Sequence, residues 1–193
     1  MKTPVHSRPR FLGIISFVAL CLSASVSLAA SITYSINADG IKEVNSSGVS
    51  NGDPNGSAIG TILLDNGTGS GTTGFATINL SLTNIDPTLS GHHIHEGPTT
   101  TTGPIRLNLG DPNTILTGSS ASGTLSGTIL NLDAVIIGNI FANPTAFYYN
   151  LHSTPTYPGG AVRDQLIPEP GTYALLACGA FALVLLRRRS ETS

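Results

Sequence analysis

The chain has 193 residues, a formal net charge of −2, five histidines and two cysteines, and only 10% of its residues are charged. Both cysteines, Cys21 and Cys178, lie in apolar segments near the ends, so the middle of the chain is not a disulfide scaffold. Within residues 30–167 the bases are Lys42, Arg106 and Arg163 against nine acids, which leaves −6 and argues against nucleic acid or anionic lipid as a partner.

The N-terminus carries Lys2, Arg8 and Arg10, then the apolar run "FLGIISFVALCL" and the small residues "SASVSLAA". A basic start, a short apolar helix and a small-x-small ending describe a secretory signal peptide over residues 1–29, cut after Ala29. The run is too short to span a bilayer comfortably.

From residue 30 the pattern changes to period-two alternation, the mark of strands with one buried face. "SITYSINA" and "AIGTILLD" are the first two candidates. In "GFATINLSLTNID", Ala76, Ile78, Leu80 and Leu82 share one face and Thr77, Asn79, Ser81 and Thr83 the other. "SGHHIHEGP" follows, then "GPIRLNLG" with Ile105, Leu107 and Leu109 on one side. "ASGTLSGTILN" is interrupted by glycines, and "AFYYNLHS" and "GAVRDQLI" close the series. Clusters of Gly, Asn, Asp and Pro punctuate the pieces. One segment departs from alternation. In "NLDAVIIGNIFANP", Leu132, Val135, Ile136 and Ile140 are spaced for a short helix over 132–141, ending before Pro144. Many short strands with little helix predict an antiparallel β-sandwich or barrel in one domain, residues 30–167.

The tail places Pro168, Glu169 and Pro170 ahead of an apolar run over 172–186, with Arg187, Arg188 and Arg189 behind it. As a helix that run reaches about 22 Å, against a bilayer core of about 30 Å, so it is a marginal transmembrane helix. Arginines hold the cytoplasmic side, which puts Pro-Glu-Pro at the outer face. The order of motif, apolar helix and basic cluster over 168–193 closely resembles the PEP-CTERM sorting signal of Gram-negative bacteria. That resemblance implies recognition by an exosortase-type membrane protease at the inner membrane, removal of the tail, and release to the cell surface or among exopolysaccharide.

Three of the five histidines fall within "HHIH". On a strand His93 and His95 share a face, with His92 and Ile94 on the other. Downstream, Tyr148, Asn150 and His152 share one face, and Phe147, Tyr149 and Leu151 the opposite one. If the two strands are neighbours, His93, His95 and His152 form a cluster able to hold copper or zinc, ions that suit imidazole donors. The competing use of these rings is hydrogen bonding to backbone and tyrosine hydroxyls. By the same alternation His92 points away and is dispensable, and metal affinity falls as pH drops through about 6.5.

"HIHEG", then "GPIRLNL", then "FYYNLHSTPTYPGGAVRDQL" resemble the CHRD domain, named for chordin and widespread in secreted bacterial proteins. The matching positions are His93 and His95, Gly103 and Pro104, then Tyr148, Asn150, His152, Pro158, Gly160, Arg163, Gln165 and Leu166. Ala161 stands where the family usually has Glu, Asp164 where it has Gly, and Ser153 replaces a common Thr. Asp164 is expected either to mark an edge or bulge or to pair with Arg163 or Arg106, and both arginines to pair with acids. "HHIHEGP" is also similar to the copper segment of Cu/Zn superoxide dismutase, which adds weight to a sandwich of the immunoglobulin-like or superoxide dismutase-like kind and to a metal. The missing cysteines and fourth histidine keep that enzyme's activity from carrying over.

Two functions stand open. One is an exported CHRD-domain protein, tethered at the membrane before processing and then placed at the cell surface or in the exopolysaccharide matrix as a binding or structural module for exopolysaccharide or surface proteins. The other is a metal-binding or redox domain using His93, His95 and His152. No catalytic residue is assigned. No nucleophile elbow is read from the sequence, since no strand-to-helix pattern surrounds its one G-x-S-x-G match at residues 48–52, and Glu96 is expected to be a solvated loop residue.

Overall fold

The computed structural model describes residues 31–67, 73–86, 88–111, 122–169 and 171. The expected signal peptide with Ala29, together with Pro170, the apolar run over 172–186 and Arg187, Arg188 and Arg189, lies outside the described residues. Among the described residues no helix is long and apolar enough to cross a membrane.

Among the described residues there are nine strands, β1 (Ser31–Asp39), β2 (Ser57–Asp65), β3 (Gly74–Thr83), β4 (Leu89–Glu96), β5 (Ile105–Asn108), β6 (Gly123–Leu132), β7 (Phe147–Ser153), β8 (Tyr157–Gln165) and β9 (Ile167–Pro168). Every pairing is antiparallel. The order is β5-β4-β7-β8-β1-β2-β3-β6, with β9 beside β1. The all-β architecture expected from alternation is therefore present, with one difference. The two four-stranded halves belong to a single hydrogen-bonded sheet, joined where Asp39 of β1 meets Arg163 of β8.

The inward residues of both halves meet in one apolar cluster. Tyr34, Ile36 and Ala38 come from β1, Ala76, Ile78, Leu80 and Leu82 from β3, and Ile94, Tyr149, Leu151 and Val162 from the other half. On β3 the alternation is complete, so its sequence pattern specifies its register: a slip by one residue would expose all four apolar side chains. The short helix α1 spans Ala134–Ala142, one turn-fraction later than expected, because Leu132 completes β6. Asp133 caps it, accepting from Val135 N at 2.8 Å and Ile136 N at 3.2 Å. Ile137 and Ile140 pack inward, whereas Val135 is exposed, contrary to the spacing first read.

β5 corrects another reading. Leu107 and Leu109 are buried, but Ile105 is exposed. Ile94 pairs with Leu107 and His95 with Ile105, so Arg106 is an extra residue in the ladder, and the bulge turns Ile105 outward.

β7 is buried at every position, on both faces. Its inner face packs in the apolar cluster. Its outer face lies beneath two loops, residues 40–56 and 97–104, whose groups reach the strands below: Glu43 to Asn150, Gly103 to Tyr148, and Pro98 and Thr101 to Arg163. The double cover explains why adjacent Tyr148 and Tyr149 are both buried.

His92 points away from His93 and His95, as expected, but into the core, where it is 0% exposed. Its Nδ1 lies 3.4 Å from the Tyr149 hydroxyl. Burial, with His93 nearby, pushes its pKa down to about 3. The dispensable role first read for it does not fit a filled core site. His92→Ala is expected to cost about 3 kcal/mol, more than His93→Ala, because it empties a packed position. The unfolded chain takes up a proton at His92 below the ordinary 6.5, while the folded chain resists until about 3. Stability from this group is thus complete above pH 6.5 and falls as pH drops toward 3. His92→Leu should flatten the acid limb of a urea-midpoint against pH curve by about 1.4 kcal/mol per pH unit. An unchanged acid limb would contradict the assignment.

Candidate functional site

β4 and β7 are neighbours, and their register fixes the site. Gly91 faces His152, His93 faces Asn150, and His95 faces Tyr148. Directly opposed residues share a sheet face, so the three imidazoles rise from the same outer face, in the layer under the two loops. Ring centroids lie 4.8 Å apart for His93 and His152, 5.6 Å for His93 and His95, and 5.9 Å for His95 and His152. One nitrogen from each ring can be chosen so that all three lie within 4.8 Å of one another. Glycine at 91 gives these rings room, since a Cβ there would sit 3.2 Å from Cε1 of His93.

The orientation of two rings is set from behind. Nδ1 of His95 is 2.9 Å from the Gly103 carbonyl, and Nδ1 of His152 is 3.0 Å from the Pro158 carbonyl. A carbonyl only accepts, so each Nδ1 carries the proton and each Nε2 presents a bare lone pair. Both Nε2 atoms are buried with no protein partner, as is Nδ1 of His93. Burial is the first cause that lowers all three pKa values, to about 4 for His93, with the neighbouring imidazole His152 adding to the shift at His93 and His95. At neutral pH the cluster is a set of uncharged rings with unshared electron pairs.

A second layer lies against it. Tyr148 stacks on His95 with centroids 5.0 Å apart, and the Arg163 guanidinium carbon sits 3.4 Å from the Tyr148 ring centre. Arg163 is 1% exposed. It donates to the carbonyls of Thr101, at 3.0 Å, and Pro98, so it ties loop 97–104 to β8. The salt bridge with an acid expected for Arg163 is not what holds it. Glu43 is the buried acid whose charge it feels, and that carboxylate accepts from Asn150 Nδ2 at 2.9 Å. Burial raises the Glu43 pKa to about 7, with Arg163 and Asn150 opposing the rise.

The other charged residues resolve simply. Arg106 pairs with Glu96 at 3.0 Å on the surface, as expected for Arg106, and Glu96 ends β4. Asp164 pairs with neither arginine. It meets Lys42 at 3.0 Å and accepts from Asn37 N at 2.7 Å, at the seam between β8 and β1. Glu43 escaped the sequence reading because nothing periodic surrounds it. Its carboxyl lies against β8 beside Gly160, so a buried carboxylate stands close to Ala161.

The CHRD domain, as a protein family, matches residues 34–166, and the PEP-CTERM protein-sorting motif matches residues 166–189. No curated protein and no solved structure matches the chain. The sorting motif marks an exported protein that is tethered at the membrane, processed by an exosortase-type membrane protein, and destined for the cell surface or extracellular space.

The contact between Asn150 and Glu43 requires glycine at 160. Its φ is +141°, and a Cβ there would come within 2.6 Å of Asn150 Oδ1 and 2.7 Å of the Glu43 carboxyl carbon. Gly159→Ala meets nothing within 4 Å. Gly160→Ala should therefore lower stability by about 2 kcal/mol or more, while Gly159→Ala changes it by less than about 0.5 kcal/mol. Equal denaturation midpoints for the two variants would refute the packing described here.

Proposed function

The chain belongs to the CHRD domain family and carries a PEP-CTERM sorting tail, and on that footing we propose that its exported domain binds one copper or zinc ion through His93, His95 and His152. The observation that carries the reading is the pair of Nε2 lone pairs on His95 and His152, held by backbone carbonyls on the far side of each ring and buried without protein partners. Such outer hydrogen bonds fix tautomer and direction in metal-binding histidines. Three uncharged imidazoles with no carboxylate or thiolate in the cluster suit copper or zinc rather than magnesium or calcium. Three protein donors leave a coordination position for water or an outside ligand. His93, half-buried at the rim, is the donor nearest to solvent.

A second reading draws on the outward face of β3 and β6. Thr77, Asn79, Ser81, Thr83, Thr124 and Thr128 are exposed and uncharged. Such a hydroxyl- and amide-rich surface suits a binding or structural module among exopolysaccharide or surface proteins. It is tested by co-sedimentation with that polysaccharide after Thr77→Lys and Thr128→Lys.

Titration of residues 30–169 with copper or zinc should give one ion per chain. His93→Ala, His95→Ala and His152→Ala should each lower affinity at least about 100-fold, while His92→Leu should leave it intact. Protons compete with metal only once the rings protonate. Because the folded pKa values are lowered, to about 4 for His93, affinity should persist below pH 6.5 and fall toward pH 4. Affinity unchanged in the three alanine variants, or no stoichiometric ion, would sink the proposal.

A further inference from the structure

β1 changes partner along its length. Asp39 pairs with Arg163 of β8, but Ser35 and Tyr34 pair with Ile167 and Pro168 of β9. The contact extends past the strand, since Glu169 N donates to Thr33 O at 3.0 Å and Ser35 Oγ donates to Glu169 Oε1 at 3.4 Å. On the near side, fully buried Leu166 donates from N to Phe147 O at 2.9 Å. Pro168 is itself buried. It has no N–H to give, which is tolerated at the edge of a sheet. Pro168 and Glu169 are also the first two residues of the Pro-Glu-Pro sequence, within the matched sorting motif. The start of the processing signal is thus built into the folded domain.

We infer that the domain latches Pro168 and Glu169 on the edge of β1, and that the processing protease acts on the tail after this latch opens. An extended peptide offers its backbone N–H and C=O groups to one strand edge at a time. Groups committed to Thr33, Tyr34 and Ser35 are not free for a second protein, and a buried Pro168 cannot enter a second pocket. Short terminal strands open locally at low cost, which allows release without unfolding the domain. The inference rests on the sorting motif alone and is independent of metal binding.

The test uses the full chain in a host that carries the sorting machinery, on a Cys178→Ser background whose own processing sets the reference rate. Ser35 and Ile167 are directly opposed and exposed. Their Cα separation as an antiparallel pair, about 4.5–5.5 Å, lies within disulfide range. Ser35→Cys with Ile167→Cys should crosslink in the oxidising compartment. The tethered precursor should then be processed about tenfold more slowly or worse, with the reference rate restored by reductant. Neither single cysteine should slow processing below the reference rate, and Ser35→Cys, which loses the hydroxyl contact with Glu169, should match or exceed it. A crosslinked chain processed at that rate, or a pair that never crosslinks in the precursor, overturns the latch. If a single cysteine itself blocks processing, or reductant restores nothing, a Gly-Ser-Gly-Ser insertion after Leu166 decides. Faster processing supports the latch, and an unchanged or slower rate overturns it.

Discussion

The antiparallel pairing of β4 with β7 is the contact on which the site and much of the core depend. It sets side-chain parity for both strands at once. On one face it delivers Ile94, His92, Tyr149 and Leu151 to the apolar cluster, and on the other it lines up His93, His95, Tyr148, Asn150 and His152. Moving the register by one residue would put imidazoles into the core and apolar side chains beneath the polar loops. Both errors are costly, one through unpaired polar groups and the other through lost apolar burial.

Much of this is legible in the sequence. Period-two alternation located the strands and gave the faces of β3 correctly, because that strand has solvent on one side and core on the other. The same rule gave the correct parity for the histidines, but parity does not say what lies on each side. For a strand covered on both faces, alternation loses its power to separate core from surface, and that is where the reading of His92 as dispensable fails. Ile105 failed for a different reason, since a bulge adds a residue and reverses the count.

The charged residues show a third limit. Glu43 and Asn150 are 107 positions apart, and no local pattern links them. Arg163 was expected to seek a carboxylate, yet its donors go to backbone carbonyls and its flat face to Tyr148. Carbonyls in an irregular loop need donors just as carboxylates do, and a planar guanidinium serves several at once. Loop 97–104 is held by a base of β8 and by Tyr148, while loop 40–56 contributes an acid to the same layer. The roof over the imidazoles is therefore fastened by polar contacts, where the floor beneath is apolar.

The single-pair seam between the halves and the placement of β9 have a mechanical consequence. β9 runs antiparallel to β1, so the chain enters β1 and leaves β9 at the same pole of the domain. Tension drawn between those two points does not slide the strands past one another against all their bonds together. It opens them as a zipper, loading Glu169 N–Thr33 O first and the next contact only after that one has parted. A domain hung by its tail would yield softly at this corner while its sheet stayed whole.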